Sequence, residues 1–172
     1  TLISCGVAAS QAEDQAEANA KGDRLVTIFE HDIVYWMIAK FFRKQLMELI
    51  GVSPEVFAGL TDEQRRLAVR FIDEMNPVSL RSAGAGFDNR ATMPGERIAA
   101  ITAPTLIVHA VDDGLQLFHN AEYANDNIPS ARLVRFEKGG HFVIGIEQSI
   151  ISATVADHIL EHPSVTPPSR LP

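Results

Sequence analysis

The feature that most constrains the fold is an apolar run that closes on two acids: Pro104-Thr105-Leu106-Ile107-Val108-His109-Ala110-Val111-Asp112-Asp113. A continuous apolar, β-branched run without polar alternation predicts a strand covered on both faces, as in a parallel sheet. A second short run, Ala131-Arg132-Leu133-Val134-Arg135-Phe136, leads into Lys138-Gly139-Gly140-His141-Phe142. Between the two, residues 118–127 read as a helix stopped by Ile128-Pro129. Strand, helix, strand predicts a parallel crossover, which delivers the acids and the histidine to one rim of the sheet. Ligands and chemistry gather at that rim, the carboxyl ends of the strands.

The opening Thr1-Leu2-Ile3-Ser4-Cys5-Gly6 reads as a further buried strand. It begins inside an apolar run, which raises the expectation of a chain cut from something longer. Ser10-Gln11-Ala12-Glu13 has the form of a capping box ahead of a polar helix that Lys21-Gly22 is expected to stop. Residues 23–50 form the most apolar helix candidate, with Ile33, Val34, Tyr35, Trp36, Met37, Ile38, Phe41 and Phe42 round nearly its whole circumference, and Gly51 as its end. Ser53-Pro54 and Thr61-Asp62-Glu63-Gln64 are start signals for two more helices. In the second, Leu67, Phe71, Ile72 and Met75 share one face, and Asn76-Pro77 ends it. Residues 78–95, rich in Gly, Ser, Asn and Asp, read mostly as loop, with room for one short helix. A final amphipathic helix is expected over 146–160, with Ile150, Ile151, Val155, Ile159 and Leu160 inward.

Composition narrows the partners. With 15 Lys and Arg against 22 Asp and Glu, the formal charge is −7, which repels a phosphate backbone, so no nucleic-acid partner is expected. The single cysteine, Cys5, excludes an intrachain disulfide and a multi-cysteine metal site. It fits a reducing compartment, so the expected setting is cytoplasmic. No run of 18 uncharged apolar residues occurs, and no membrane partner is expected.

Ile101-Thr102-Ala103-Pro104 through Asp113, then Ile128-Pro129-Ser130-Ala131-Arg132-Leu133, then Gly140-His141-Phe142, together resemble the last third of the α/β-hydrolase fold. Ala110 stands where that family usually has Gly. The resemblance implies the C-terminal part of such a fold: an α/β chain with three parallel strands, flanking helices and a helical lid insertion. Residues 1–8 and 95–162 would be the partial core, 9–94 the lid and 163–172 a disordered tail. Position in the motif implies Asp113, rather than Asp112, as the triad acid and His141 as the triad base. It implies a serine hydrolase acting on ester or related acyl or carbon–carbon bonds, without a cofactor. Haloalkane dehalogenases and cofactor-free perhydrolases share the fold.

A serine hydroxyl becomes a nucleophile when a histidine takes its proton and a carboxylate holds that imidazole in one tautomer. On the residues alone a second reading stays open, in which Asp113 caps the following helix and His141 satisfies a buried loop. The sequence contains no G-x-S-x-G, the family's nucleophile elbow. Ser4 and Cys5 lie at the right strand end but lack that elbow, and Ser79, Ser82 and Ser149 read as loop or cap serines. The expectation is a chain that is hydrolytically silent by itself. His109 reads as a core histidine and His119 as a surface one, and no His, Asp or Glu set has metal spacing. Trp36, Met37, Phe41 and Phe142 are the expected apolar substrate contacts for a small apolar molecule in the full enzyme. For the cluster Tyr35, Trp36, Met37, Phe41 and Phe42, ordinary helix-on-sheet packing is the reading for at least half of the side chains, and an interfacial membrane helix flanked by Lys40, Arg43 and Lys44 is a third reading. An open edge on the first strand implies self-association or pairing with an N-terminal chain. The rival class is a non-catalytic binding module built on a truncated hydrolase fold.

Overall fold

The computed structural model of the chain describes residues 1–3, 15–50 and 52–162. The capping box at 10–13, the candidates Ser4 and Cys5, the stop at Gly51 and the tail at 163–172 lie outside the described residues.

Six helices fill the region from 15 to 90: α1 (Gln15–Phe29), α2 (Asp32–Phe41), α3 (Arg43–Leu49), α4 (Pro54–Gly59), α5 (Asp62–Glu74) and α6 (Ser79–Arg90). They share a core in which Leu25, Tyr35, Ala39, Leu46, Met47, Val56, Ala68 and Ile72 are buried. Two of the starts read from the sequence are realised in full. Ser53 Oγ accepts from the Val56 amide, with Pro54 at the first helical position. Thr61 and Gln64 close a capping box, each side chain accepting from the other's backbone N–H.

Four expectations are corrected here. The apolar stretch 23–50 is broken at His31, which is extended (φ −135°, ψ 100°), and again at Phe42 (φ −129°, ψ 36°). A segment apolar all round carries no periodic mark of where it turns. The break lets Tyr35 and Ala39 face the same core as Leu25. Helix α1 runs straight through Gly22 to Phe29. Packing against α6 offsets the intrinsic cost of glycine in a helix, about 1 kcal/mol. In the stretch read mostly as loop, residues 79–90 form a 12-residue helix, longer than the one short helix allowed there. Their cap comes from 47 residues away, where the Asp32 carboxylate accepts from Ser79 N and Ser79 Oγ, both at 2.9 Å. The small residues of α6 then meet α1, with Gly86 beside Val26.

Three parallel strands, β1 (Leu2–Ile3), β2 (Thr105–Ala110) and β3 (Ala131–Phe136), lie side by side in that order. Leu2 pairs with Ile107, and Thr105 through Ala110 pair with Ala131 through Phe136. Every residue of β2 is buried, as its unbroken apolar run requires. Helix α7 (His119–Asn127) covers one face, where Ala121, Ala124 and Ile128 meet Ile107. After β3 come a short 3-10 turn (Gly140–Phe142), α8 (Val143–Ile146) and α9 (Gln148–Glu161). Val143 and Ile151 cover the opposite face, against Leu106, Val108 and Ala110. The fourth correction concerns α9. Its sheet contact is the narrow stripe of Ile151 and half-buried Val155, while Ile150, Ile159 and Leu160 are exposed. The result is a mixed α/β chain with helices on both faces of a three-stranded parallel sheet.

Candidate active site

Beyond β2 the chain continues one hydrogen bond further, Val111 N donating to Phe136 O at 2.8 Å. This carries Asp112 and Asp113 alongside the loop that leaves β3. The Asp113 side chain is 0% exposed. Its Oδ1 accepts from the backbone N–H groups of Leu115 and Gln116, both at 2.9 Å. Its Oδ2 lies 3.0 Å from Nδ1 of His141, whose side chain is 33% exposed. An ionised carboxylate can only accept, so Nδ1 carries the proton and Nε2 is left as the basic nitrogen. Asp113 thus satisfies the turn before α7 and pairs with His141; it does not cap α7, whose N-cap is Phe118 without a side-chain cap bond.

The loop that presents His141 depends on its glycines. Gly139 has φ 144° and Gly140 φ 57°, conformations that side-chain-bearing residues rarely adopt. A Cβ on Gly139 would lie 2.9 Å from Val143 Cγ2 and 3.2 Å from Val143 Cα. On the other side, the Gly140 amide donates to Asp112 Oδ1 at 2.8 Å. The two neighbouring acids thus hold two neighbouring residues of the opposite loop.

A second imidazole stands behind the carboxylate. His109, on β2, is fully buried, and its Nε2 is 2.7 Å from Gln116 O and 3.6 Å from Asp113 Oδ2. A carbonyl only accepts, so Nε2 carries the proton. Burial pushes this imidazole below its ordinary value of 6.5, against smaller upward pulls from Gln116 and Asp113. Burial therefore favours the neutral form of His109, donating from Nε2, and an edge-on contact with Phe118 completes its enclosure.

His141 opens onto an apolar cavity of about 470 Å³ between the helical region and the sheet rim. Leu25, Val26 and Phe29 of α1, Phe71 of α5, Met75 at the end of that helix, and Phe142 line it, with Gln116 and Asp88 as its polar members. Phe71 and Phe142 touch, their ring centroids 5.3 Å apart. A larger, more polar groove of about 850 Å³ runs between α5 and the start of α9 and includes neither Asp113 nor His141.

The structure brings Asp113, His141 and Phe142 together. Trp36, Met37 and Phe41 lie outside the cavity lining, with Trp36 51% and Phe41 69% exposed. The Trp36 and Phe41 rings pack edge to face on the outer side of α2. Leu25, Val26 and Phe29 fell within the apolar helix expected over 23–50, but it was Trp36, Met37 and Phe41 further along that were expected at the substrate; in the structure α1 forms the wall instead. Phe71 and Met75 were already visible as one face of α5. His119, expected on the surface, is half-buried, and its Nε2 has no hydrogen-bond partner among the described residues. Ser79 and Ser82 serve within α6: Ser79 Oγ donates to Asp32 and Ser82 Oγ to Ser79 O. Among the described residues, no group of three or more His, Cys, Asp or Glu could hold a metal ion. No single described helix is long and apolar enough to cross a membrane.

No family model matches the chain. Over 100 residues, 58% of this chain, it is 31% identical to a Stutzerimonas stutzeri (strain A1501) protein named "Putative carbamate hydrolase RutD". The matched region is 36% of that protein's length, so the chain spans about a third of the relative. The similarity is to a protein named as a hydrolase, and the chain itself has an α/β architecture.

Proposed function

We propose that this chain supplies the acid, the histidine and the lid of an α/β-hydrolase-like serine hydrolase. The observation that carries the reading is the 3.0 Å pairing of His141 Nδ1 with buried Asp113 Oδ2 at the carboxyl rim of a parallel sheet, beside an apolar cavity. Asp113 holds the imidazole in its Nδ1–H tautomer. Nε2 then takes the proton of a serine hydroxyl, and the carboxylate stabilises the imidazolium that forms. As the tetrahedral intermediate collapses, the imidazolium gives that proton to the departing alcohol or amine and leaves an acyl-serine. A water then gives its proton to Nε2 and attacks the acyl carbon, and the proton returns to the serine oxygen as the acid departs.

In this reading the nucleophile and the oxyanion donors come from residues outside these 172, because no G-x-S-x-G occurs among them. The chain alone is then hydrolytically silent, since without oxyanion donors the developing charge has no preorganised partner. Helices α1 to α6 form the lid. The cavity beneath them takes a small, largely apolar acyl compound, and the bond broken is an ester or a related acyl bond. A carbamate, the group in the relative's name, belongs to that class. Strand β1 has no partner on its outer side among the described residues. That edge is where a nucleophile-bearing segment would add its strands.

The test is to express the chain with the in-frame coding sequence that precedes it and to label with a fluorophosphonate. Labelling that needs a G-x-S-x-G serine, and that is lost with His141→Ala, supports the reading. Stoichiometric labelling of the 172 residues alone overturns the division of roles, and labelling indifferent to His141 overturns the triad assignment.

A further inference from the structure

We infer that Asp112 is a positioning residue: it sets the imidazole of His141 by holding the backbone of the loop that carries it. The inference rests on the proposed reading of Asp113 and His141 as a catalytic pair. Asp112 Oδ1 accepts the Gly140 amide at 2.8 Å, and Asp113 Oδ2 accepts His141 Nδ1 at 3.0 Å. Both bonds span the same 28 residues of sequence. Two adjacent acids therefore grip two adjacent residues, one through the main chain and one through the side chain.

The grip closes a loop that is otherwise fastened from behind. Val143 fills the space where a Gly139 side chain would be. The positive φ at Gly139 and Gly140 accompanies a hydrogen bond that the Gly140 N–H donates across to Asp112 at the β2 rim. A carboxylate accepting from an amide is among the stronger neutral–charged hydrogen bonds. Proton transfer tolerates little displacement of the base, so a loop of two glycines needs such a tether. The tether also separates the two acids chemically, because Asp112 is committed to Gly140 and Asp113 alone meets the imidazole.

The experiment is nuclear magnetic resonance of the 172-residue chain, read at two places: the imidazole nitrogen shifts of His141 at mildly alkaline pH, which report its tautomer, and hydrogen exchange of the Gly140 amide. Wild type is expected to hold His141 as Nδ1–H with a protected Gly140 amide. Asp112→Asn is expected to keep both, since its amide oxygen still accepts. Asp112→Ala and Asp112→Glu are expected to speed Gly140 exchange about tenfold or more and to move His141 toward the Nε2–H tautomer. The glutamate keeps the charge but misplaces the oxygens. If the alanine variant does not fold, the asparagine and glutamate variants decide: like behaviour of the two overturns the inference. Nδ1–H and slow exchange persisting in Asp112→Glu removes the role of Asp112 and leaves the Asp113–His141 pair intact. Absence of Nδ1–H in wild type removes the pair itself, and this inference with it.

Discussion

His141 and Asp113 are joined through a single carboxylate oxygen, Oδ2, while the other, Oδ1, is occupied by the backbone amides of Leu115 and Gln116. The division means that the acid cannot swing to follow the histidine. Its plane is set by the turn after β2, and the imidazole must come to it.

Asp113→Asn tests that constraint. An amide has one accepting oxygen, so either the two backbone donors or the imidazole must face its NH2 group. The expected cost is about 1–3 kcal/mol of stability, read by urea denaturation. In an enzyme completed with its nucleophile, kcat is expected to fall about 10⁴-fold, the scale of losing tautomer control in a serine triad. Unchanged urea midpoints would show that the oxygens are not both engaged.

His109 gives a pH signature. Burial holds its imidazole below the ordinary 6.5, so the unfolded chain binds this proton more readily than the folded one. Stability then rises with pH up to about 6.5 and is lost progressively as pH falls below it. Asp113, His141 and His119 also act on this imidazole. The difference between wild type and His109→Gln therefore isolates its share: the variant is expected to have a flatter denaturation midpoint between about pH 5 and 7. A steeper acid loss in the variant would contradict the assignment.

Tyr35 reports on the helical core at the other end of the pH scale. Its hydroxyl donates to Ile72 O at 2.7 Å in a buried site. Burial, with Asp73 nearby, raises the phenol to about 12 from an ordinary 10. The unfolded chain releases this proton first, so stability is lost as pH rises above about 10. Tyr35→Phe is expected to cost about 1–3 kcal/mol at neutral pH, because the Ile72 carbonyl loses its donor, and to remove that alkaline loss. Denaturant titration at neutral and alkaline pH checks both halves.

Gly139→Ala is expected to destabilise by about 1–3 kcal/mol through its positive φ, with a further cost from the clash with Val143. It should also displace His141, visible as a change in the imidazole resonances. Gly59→Ala is the control: apart from the adjoining backbone of α4, no described residue comes within 4 Å of a new Cβ there, and stability is expected to hold or rise slightly.

Where local residues carry the instruction, the sequence was legible. Ser53-Pro54 and Thr61–Gln64 mark helix starts with atoms a few residues apart, and β2 announces its burial by having no polar alternation. The extent of helix α6 was not legible beyond one short helix, because its cap is Asp32, far away along the chain. Nor was the break at His31, since residues 23–50 carry no glycine, proline or shift of period to mark it. The placement of Trp36 and Phe41 on the outside of α2 follows from that break.

The sequence by itself determined the strand–helix–strand ending and the residue types at its rim, because strand period, turn glycines and helix stops act over a few neighbours. Only the tertiary structure decided which atoms meet: Asp112 with the Gly140 amide, Asp113 with His141, and α1 rather than α2 over the cavity. Those pairings depend on strand register and on helix ends capped from afar, and neither is encoded within one short window of the chain.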